Sequence, residues 1–419
     1  MRRAASLAAA LLVCVTAPRV WAQEIPYQPQ TQPPPGASTC PGGLCGAEAL
    51  APLFQALEET EAGARRTPVH IVQIGDSHTA GDRITGAVRA ALQARFGNGG
   101  RGVLPAGAPY DGYAPYQVQV TADGWINRTA PLTPRGGFQR AEVGLTGVGA
   151  PAYGRAPALT LTFDPGAGAD LLRLCGRAGQ GFDIVLGKAL VPFDLRSQRA
   201  GPVCERHRLL MGTERLEVRP AGPQALAYSL MFERDGPGVI LSNLGVVGAT
   251  LRDLAARDEA VAAAELAEWA PALIIVAFGT NEGFEGDLNP ATYEALLRQQ
   301  IARLKRLSPG SALMILGAPD ALRTGAAGPC SADGRRAPPP SLAVVRNLQR
   351  RVAADMGVAY WDWQGRMGGD CVSDRLATMA EPLMRGDRVH FTSAGADWIG
   401  GIMAADLMAA YAAWKGEGA

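Results

Sequence analysis

Five short, largely apolar segments recur along this chain, and helical patterns separate them. We predict that these segments are strands, at residues 69–74, 239–244, 273–278, 312–316 and 358–361. Apolar residues at helical spacing predict helices near residues 50–57 and 84–96, over residues 251–268, 291–307 and 342–356, and after Thr392. Strands that are apolar on both faces are typical of a parallel sheet covered by helices on both sides. The pattern therefore predicts a three-layer α/β/α fold around one parallel sheet.

Residues 110–235 interrupt this alternation. Gly, Pro and Thr separate short alternating stretches there, at residues 159–163, 182–186 and 215–218. Several short strands divided by turn residues are typical of a β-sandwich or jelly roll. Because the strand at residues 69–74 belongs to the same sheet as the later strands, we predict a β-rich domain at 110–235. It would be inserted into an α/β body formed by residues 47–109 and 236–419.

The N-terminal 22 residues have the order of a secretory signal peptide. Arg2 and Arg3 precede an apolar run over residues 4–15, and small residues end the segment at Ala22. Residues 23–46 are rich in Pro and Gly and are predicted to be an extended linker. No later segment has about 20 uninterrupted apolar residues. We therefore expect a soluble periplasmic or secreted protein without a stable membrane anchor.

Six of the seven cysteines follow residue 22. An even number in an exported chain favours disulfides. Proximity in the sequence suggests the pairs Cys40–Cys45, Cys175–Cys204 and Cys330–Cys371. A metal site is the weaker interpretation, because no Cys-x-x-Cys pair is present and the four histidines are scattered. We predict neither a metal nor a cofactor.

The charge balance argues against nucleic acid as a partner. The chain has 40 Lys and Arg residues, three of them within the first 22 residues, and 39 Asp and Glu residues. A nearly neutral chain lacks the basic surface that binding to DNA or RNA requires.

The first motif is Gly-Asp-Ser-His at residues 75–78, between the first predicted strand and a helix. A serine at such a turn has an exposed hydroxyl and lies near the N–H groups of the helix N-terminus, which suits a nucleophile. The alternative is that Asp76 or Ser77 merely caps the helix.

Two further motifs follow predicted strands. Asn281, in Phe-Gly-Thr-Asn-Glu at residues 278–282, can donate its amide to an oxyanion, or it can serve as a turn residue. Gly245 and Gly248 lie in the block at residues 244–250. A glycine there can bring its backbone N–H close to a ligand, or it can simply make a tight turn.

The fourth motif is Asp387-x-x-His390, which precedes the last helix. An Asp three residues before a His can hold the imidazole by Nδ1–H and leave Nε2 free as a base. The alternative is a surface ion pair or a capping residue. Since all four motifs lie in order at strand ends or loops, at one edge of the predicted sheet, together they indicate an activated serine hydrolase.

These motifs resemble those of the SGNH (GDSL-type) hydrolases, over about residues 47–109 and 236–416. The resemblance implies that Ser77 is the nucleophile, that His390 is the general base and that Asp387 orients His390. It also implies an oxyanion hole formed by the Ser77 N–H, the Asn281 amide and a glycine N–H. Gly248 is favoured for that glycine because it directly precedes residues 249–250, and Gly245 is the alternative. Glu282 departs from the family, which often has Asp at that position.

Within the superfamily, residues 75–82, residues 278–282 and the large β-rich insertion look most like the exported peptidoglycan O-acetylesterases. In those enzymes the insertion resembles a carbohydrate-binding module, so the resemblance implies an O-acetylated glycan as substrate. Aromatic residues of the insertion are candidates for stacking on sugars or, alternatively, for core packing; they are Tyr113, Tyr116, Trp125, Phe138 and Tyr153. The competing functions are a lipase, thioesterase or O-acetyltransferase of the same fold, and a glycan-binding protein with an inert hydrolase body.

Overall fold

The computed structural model describes residues 33–110, 112–125, 142–149, 156–195, 200–222 and 225–416, and the backbone of residues 128–129 and 150–151. The predicted signal peptide at residues 1–22 and the first part of the predicted linker lie outside the described residues. Residues Pro34–Ala419 belong to one compact unit. All helices and strands of the described residues lie in this unit.

Helices and strands alternate at both ends of this unit, and a run of strands separates the two alternating parts. The strands are, in chain order, β1 (Leu44–Cys45), β2 (Val69–Gly75), β3 (Gly102–Pro105), β4 (Val118–Asp123), β5 (Arg128–Thr129), β6 (Val148–Pro151), β7 (Ala158–Phe163), β8 (Ala169–Arg177), β9 (Gly181–Leu186), β10 (Ala189–Asp194), β11 (Pro202–Thr213), β12 (Arg215–Pro220), β13 (Leu226–Glu233), β14 (Val239–Gly245), β15 (Leu273–Ala277), β16 (Ala312–Leu316), β17 (Arg323–Thr324), β18 (Gly328–Pro329), β19 (Arg335–Ala337) and β20 (Ala359–Trp361). The α-helices are α1 (Ala51–Glu61), α2 (Ser77–Ala80), α3 (Arg83–Phe96), α4 (Leu251–Ala256), α5 (Glu259–Trp269), α6 (Thr280–Gly283), α7 (Pro290–Leu307), α8 (Leu342–Met356), α9 (Trp363–Met367), α10 (Val372–Thr378) and α11 (Ser393–Lys415).

The body is organised by a sheet with strand order β1-β20-β16-β15-β2-β14. Its strands are parallel except β1, which pairs antiparallel with β20 at one edge. Alternate residues of β2 point to opposite faces: Val69 and Ile71 pack with α1, α3 and α11, whereas Val72 and Ile74 pack with α5, α7 and α8. This arrangement has the three layers that the apolar pattern predicts. It brings the carboxyl ends of the parallel strands to one edge of the sheet.

The helix predicted over residues 251–268 is two helices, so the prediction of one continuous helix is wrong. Arg257 has extended backbone and ends α4, and the Asp258 side chain then accepts hydrogen bonds from the N–H groups of Ala260 and Val261. An aspartate that satisfies these free N–H groups starts a new helix at α5. The apolar spacing carries across the break, which hides it from the periodicity.

The predicted linker also differs from the structure in its last residues. Leu44 and Cys45 pair with Trp361 and Tyr360 at the edge of the sheet. Cys40 and Leu44 are buried, and a short 3₁₀ helix at residues 41–43 joins them. The segment is therefore held in place by buried apolar side chains and by the Cys40–Cys45 disulfide.

The insertion consists of two antiparallel sheets with orders β10-β9-β12-β7-β4 and β11-β8-β13-β6-β5. Both sheets contribute to one apolar core, in which Leu161, Leu174 and Phe232 are buried. Strand β3, which precedes the predicted insertion, pairs with β13 and extends this sheet. The Val103 N–H also donates to Ser242 Oγ on β14 at 2.8 Å, which joins the insertion to the body sheet.

Disulfides join each of the three cysteine pairs that the sequence suggests, Cys40–Cys45, Cys175–Cys204 and Cys330–Cys371, and the predicted pairing is confirmed. The second bridge links β8 to β11 within the insertion, and the third ties Cys330 to the N-cap of α10. In the part of the chain that the structure describes, no helix is long and apolar enough to cross a membrane.

Candidate active site

Ser77 lies beyond the carboxyl end of strand β2, as the first residue of α2. Asp76 is the N-cap of this helix, and its carboxylate accepts the His78 N–H at 3.0 Å. A Cβ at Gly75 would lie only 2.5 Å from the carbonyl oxygen of Ala277 on β15, so a glycine lets the turn pass close to the neighbouring strand. The serine is thus fixed by the sheet on one side and by the helix cap on the other.

The structure brings Ser77, His390 and Asp387 into one hydrogen-bonded chain. Ser77 Oγ lies 2.9 Å from His390 Nε2, and His390 Nδ1 lies 2.8 Å from Asp387 Oδ2. The other carboxylate oxygen of Asp387 accepts the backbone N–H groups of Val389 and His390 at 2.9 and 3.0 Å. The contact between Ser77 and His390 joins residues that are 313 positions apart in the sequence.

The electrostatics of Asp387 favour its charged form. Partial burial alone would raise the pKa of its carboxyl group, but the hydrogen bonds from His390 and Val389 outweigh burial and lower the pKa overall. An ionised Asp387 keeps the proton of His390 on Nδ1, which leaves the Nε2 lone pair directed at the Ser77 hydroxyl. The arrangement can therefore accept a proton from a serine that attacks a carbonyl carbon.

Asn281 follows β15, the strand next to β2, and lies in the short helix α6. One N–H of its amide donates to the Ala249 carbonyl oxygen at 2.9 Å. One residue further on, Glu282 Oε1 accepts the Leu251 N–H at 2.8 Å. One hydrogen bond therefore connects α6 to the glycine block at residues 244–250, and a second connects α6 to the start of α4.

The two candidate glycines have different surroundings. The Gly245 N–H donates to Asn243 Oδ1 at 3.2 Å, and a Cβ at Gly245 would collide with the backbone of Ala80 in α2. Gly248 is exposed, has a φ of 74°, and no described residue accepts its N–H. Gly245 thus packs strand against helix, whereas the Gly248 N–H is available to a ligand.

Glu282, which departs from the family pattern, is a buried structural acid. Burial raises the pKa of its carboxyl group to about 7. Its Oε1 accepts the Leu251 N–H, and its Oε2 has no partner among the described residues. Glu282 therefore holds the start of α4 beside Asn281. The sequence alone leaves this role of Glu282 undefined.

His78 is also buried in the site, but neither of its ring nitrogens meets Ser77. Its Nε2–H donates to the Val389 carbonyl at 2.9 Å, and its Nδ1 lies 3.3 Å from Asp76 Oδ1. The ring stacks on His390 with centroids 5.5 Å apart. Burial would lower the pKa of His78, but the hydrogen bond and charge of Asp76 outweigh it and raise the pKa overall. This contact set supports the loop that carries His390.

A cavity of about 570 Å³ opens at Ser77 and His390. Tyr110 and Tyr116, which we call the tyrosine wall, form one side of it, and Arg385 is also among its lining residues. The Tyr110 hydroxyl donates to the Ala80 carbonyl at 2.8 Å. Sequence reasoning named Tyr116 only as a sugar-stacking candidate and missed Tyr110 and Arg385, because no local motif marks either of them.

Buried charges fix the tyrosine wall to the body. Asp82 accepts the Tyr116 N–H at 2.8 Å and pairs with Arg89 and Arg101, while Arg101 Nε donates to the Tyr116 carbonyl at 2.7 Å. The three charged side chains are each at most 2% exposed. The pairing between Asp82 and the two arginines, together with burial, keeps this network ordered.

Of the other candidate aromatics, Trp125 and Tyr113 are not among the described residues that line this cavity. Trp125 is 6% exposed and stacks on Phe182 in the core of the insertion. Of the two roles that the sequence leaves open for it, the structure therefore favours core packing over sugar stacking. Tyr113 is half-buried and makes an edge contact with Tyr110. Phe138 and Tyr153 lie outside the described residues.

Comparisons with known proteins identify similar hydrolases. A model of the GDSL-like Lipase/Acylhydrolase family matches residues 218–398. A solved peptidoglycan O-acetylesterase is similar with a TM-score of 0.72 and 25% identity, over 86% of this chain and 97% of that one. A family two carbohydrate esterase from Cellvibrio japonicus has a TM-score of 0.21 and 11% identity, over 57% and 85%. A GDSL-like lipase from Bacteroides thetaiotaomicron has a TM-score of 0.26 and 16% identity, over 39% and 73%. No curated protein matches the sequence.

Proposed function

Since the chain belongs to the SGNH (GDSL-type) hydrolase superfamily and is a serine ester hydrolase, we propose that it removes O-acetyl groups from a cell-wall glycan, namely peptidoglycan. The observation that carries the proposal is the hydrogen-bonded chain from Ser77 through His390 to Asp387. A solved peptidoglycan O-acetylesterase is similar to this chain over 86% of its length, which supports peptidoglycan as the substrate.

In the proposed acylation step, His390 Nε2 accepts the Ser77 proton while Ser77 Oγ attacks the carbonyl carbon of the acetyl ester. The negative charge that develops on the carbonyl oxygen is stabilised by the Ser77 N–H, the Gly248 N–H and the Asn281 amide. His390 then gives its proton to the sugar oxygen. The bond between that oxygen and the acetyl carbon breaks, which frees the sugar hydroxyl and leaves acetyl-Ser77.

Water completes the cycle in the proposed deacylation step. His390 accepts a proton from a water molecule, whose oxygen attacks the acetyl carbonyl carbon. The same three donors stabilise the second oxyanion, and His390 returns the proton to Ser77 Oγ as the ester bond breaks. The net reaction consumes one acetyl ester and one water and yields a sugar hydroxyl and acetic acid.

The insertion is proposed to be a β-sandwich that guides the glycan to this site. Two antiparallel sheets with a shared core support that architecture. The tyrosine wall supports a role in guiding substrate, because it lies where the insertion meets the catalytic cavity and Tyr116 is 43% exposed. The three disulfides support export, with residues 1–22 as the signal peptide and the protein periplasmic or secreted.

Acetate release from O-acetylated peptidoglycan tests the proposal, with p-nitrophenyl acetate and a long-chain ester as comparators. We expect release from the glycan by the wild type and none by Ser77→Ala. Faster turnover of the long-chain ester would favour a lipase. Transfer of the acetyl group to an added sugar in place of hydrolysis would favour an O-acetyltransferase. Binding to peptidoglycan without turnover of any ester would contradict an enzymatic role.

A further inference from the structure

The catalytic cavity has a positive character that the ester reaction itself does not require. Two arginines, Arg83 and Arg385, line it, and none of its lining residues among the described parts of the chain is Asp or Glu. Thr392 and Ser393, the N-cap and first residue of α11, line the same cavity. The N-terminus of this long helix adds a partial positive charge there.

The two arginines differ in their partners. Arg83 is neutralised by Asp397, with contacts of 3.0 and 2.9 Å, and its guanidinium lies 5.6 Å from the centre of the Tyr116 ring. Arg385 uses Nε to donate to the Phe391 carbonyl oxygen at 3.1 Å. No carboxylate in the described part of the chain pairs with it, so both of its terminal nitrogens are available to a ligand.

Backbone contacts also tie Arg385 to the segment that carries His390. Its backbone N–H donates to the His390 carbonyl oxygen at 2.7 Å, and its neighbour Met384 forms a β-bridge with Phe391. The guanidinium therefore belongs to the same loop as the proposed base. Because Arg385 and Ser77 line the same cavity, a group that binds the guanidinium shares that cavity with the ester that Ser77 is proposed to attack.

We propose that Arg385 binds a carboxylate of the substrate, so that the enzyme selects acetylated sugars that carry a carboxylate near the ester. This inference rests on the proposed function and specifies its substrate class. In peptidoglycan the carboxylate comes either from the lactyl ether of muramic acid or from the peptide attached to it. An arginine suits both sources, because its planar guanidinium forms two parallel hydrogen bonds with a carboxylate.

The test compares kcat/KM for O-acetylated N-acetylmuramic acid, its carboxamide and an O-acetylated muramoyl dipeptide. The wild type should prefer a carboxylate form over the carboxamide by about 10- to 100-fold, the contribution of a charge-assisted hydrogen bond. Preference for the monosaccharide acid assigns the lactyl carboxylate, and preference for the dipeptide alone assigns a peptide carboxylate. Arg385→Gln should remove the preference, and Arg385→Lys should retain part of it.

Arg66→Gln is the matched control, because Arg66 is an exposed arginine that precedes the amino end of β2, away from the edge that carries Ser77. The Arg66→Gln variant should keep the wild-type preference for the carboxylate over the carboxamide. In both proteins this preference should weaken as the salt concentration increases. An unchanged preference in both Arg385 variants, or a wild type that cleaves acid and carboxamide equally, overturns the inference alone. A wild type that hydrolyses p-nitrophenyl acetate but no acetylated sugar overturns the proposed function and the inference together.

Discussion

The α/β body and the inserted β-rich domain hold their side chains at the cavity in different ways. In the body, Ser77 and Asn281 directly follow adjacent parallel strands, so the sheet itself fixes their spacing. At the start of the insertion, Tyr116 is held by a buried ionic network around Asp82 and Arg101. The proposed reacting groups therefore belong to the body, and the insertion contributes a wall of the cavity. Variants of the two regions should have separable effects.

The largest effect is expected from Ser77 and His390 in the body. Ser77→Ala and His390→Ala should each lower kcat on every ester by about 10⁴-fold or more, because they remove the proposed nucleophile and its proposed base. The double variant should be little worse than either single one, since the two side chains act as a unit. Initial rates with p-nitrophenyl acetate and with O-acetylated peptidoglycan measure these losses.

His78→Ala is the matched control for His390→Ala, because each variant removes one of two histidines whose rings stack on each other in the site. His78 binds Val389 and stacks on His390 without meeting Ser77, so its loss should lower kcat less than the loss of His390. Thermal unfolding of both variants reports whether they fold. A folded, active His390→Ala beside an inactive, folded His78→Ala would show that the base is assigned to the wrong histidine.

The site motifs were predictable because they are local. Ser77 and Asn281 each lie at a turn after an apolar strand, and Asp387 and His390 are three residues apart in one loop. Parallel strands bring all such ends to one edge, so strand prediction alone places these residues near one another. The choice between Gly245 and Gly248 needed the structure, because only the contacts with α2 distinguish them.

Features that depend on distant contacts could not be predicted in the same way. Arg385 is one of many arginines in the sequence, and only the folded chain shows that it lines the cavity and that no described carboxylate pairs with it. Tyr116 and Trp125 are both aromatic residues near the start of the insertion, but Tyr116 is exposed at the cavity whereas Trp125 is buried in the core of the insertion. The break between α4 and α5 did carry a local signal, the capping residue Asp258.

The next largest effect is expected in the insertion, where a substitution of Trp125 should lower the stability of the protein. Trp125→Ala removes a buried indole that stacks on Phe182, and it should lower the free energy of unfolding by about 3–5 kcal/mol. Urea unfolding measures the loss, and Trp125→Phe should cost less because it retains an aromatic ring. Activity on p-nitrophenyl acetate and on glycan should fall together. Full stability with activity lost only on glycan would restore the sugar-stacking interpretation.

A slightly smaller effect is expected from Asn281 in the body. Asn281→Ala should lower kcat by about 10²- to 10³-fold with little change in KM, because the amide is proposed to stabilise the oxyanion and not the ground state. The control is Asn289→Ala, which removes a helix cap: the Asn289 side chain accepts the Thr292 N–H at the start of α7. That control should lose about 1 kcal/mol of stability and no kcat. A change mainly in KM for Asn281→Ala would instead assign the amide to substrate binding.

The smallest effect concerns the junction between the two regions, where Glu265 on α5 accepts hydrogen bonds from the insertion. Its carboxyl oxygens accept the Leu145 N–H at 2.6 Å and the Ser229 hydroxyl at 2.7 Å. Burial raises the pKa of Glu265 from 4.5 to about 7, so the folded protein binds a proton that the unfolded chain has released between these values. The stabilisation is complete below pH 4.5 and is lost as the pH increases through 7.

The pH dependence of the free energy of unfolding can be compared between the wild type and Glu265→Gln, and the difference isolates the contribution of the junction. The wild type should lose up to about 3 kcal/mol between pH 5 and pH 8 relative to Glu265→Gln, which cannot ionise. Glu282, with a pKa also raised to about 7 by burial, contributes a dependence of the same sign to both proteins, so only the difference between them reports on Glu265. Urea midpoints at the two pH values give that difference. Equal slopes with pH in wild type and variant would mean that the junction does not hold its carboxyl group in the neutral form.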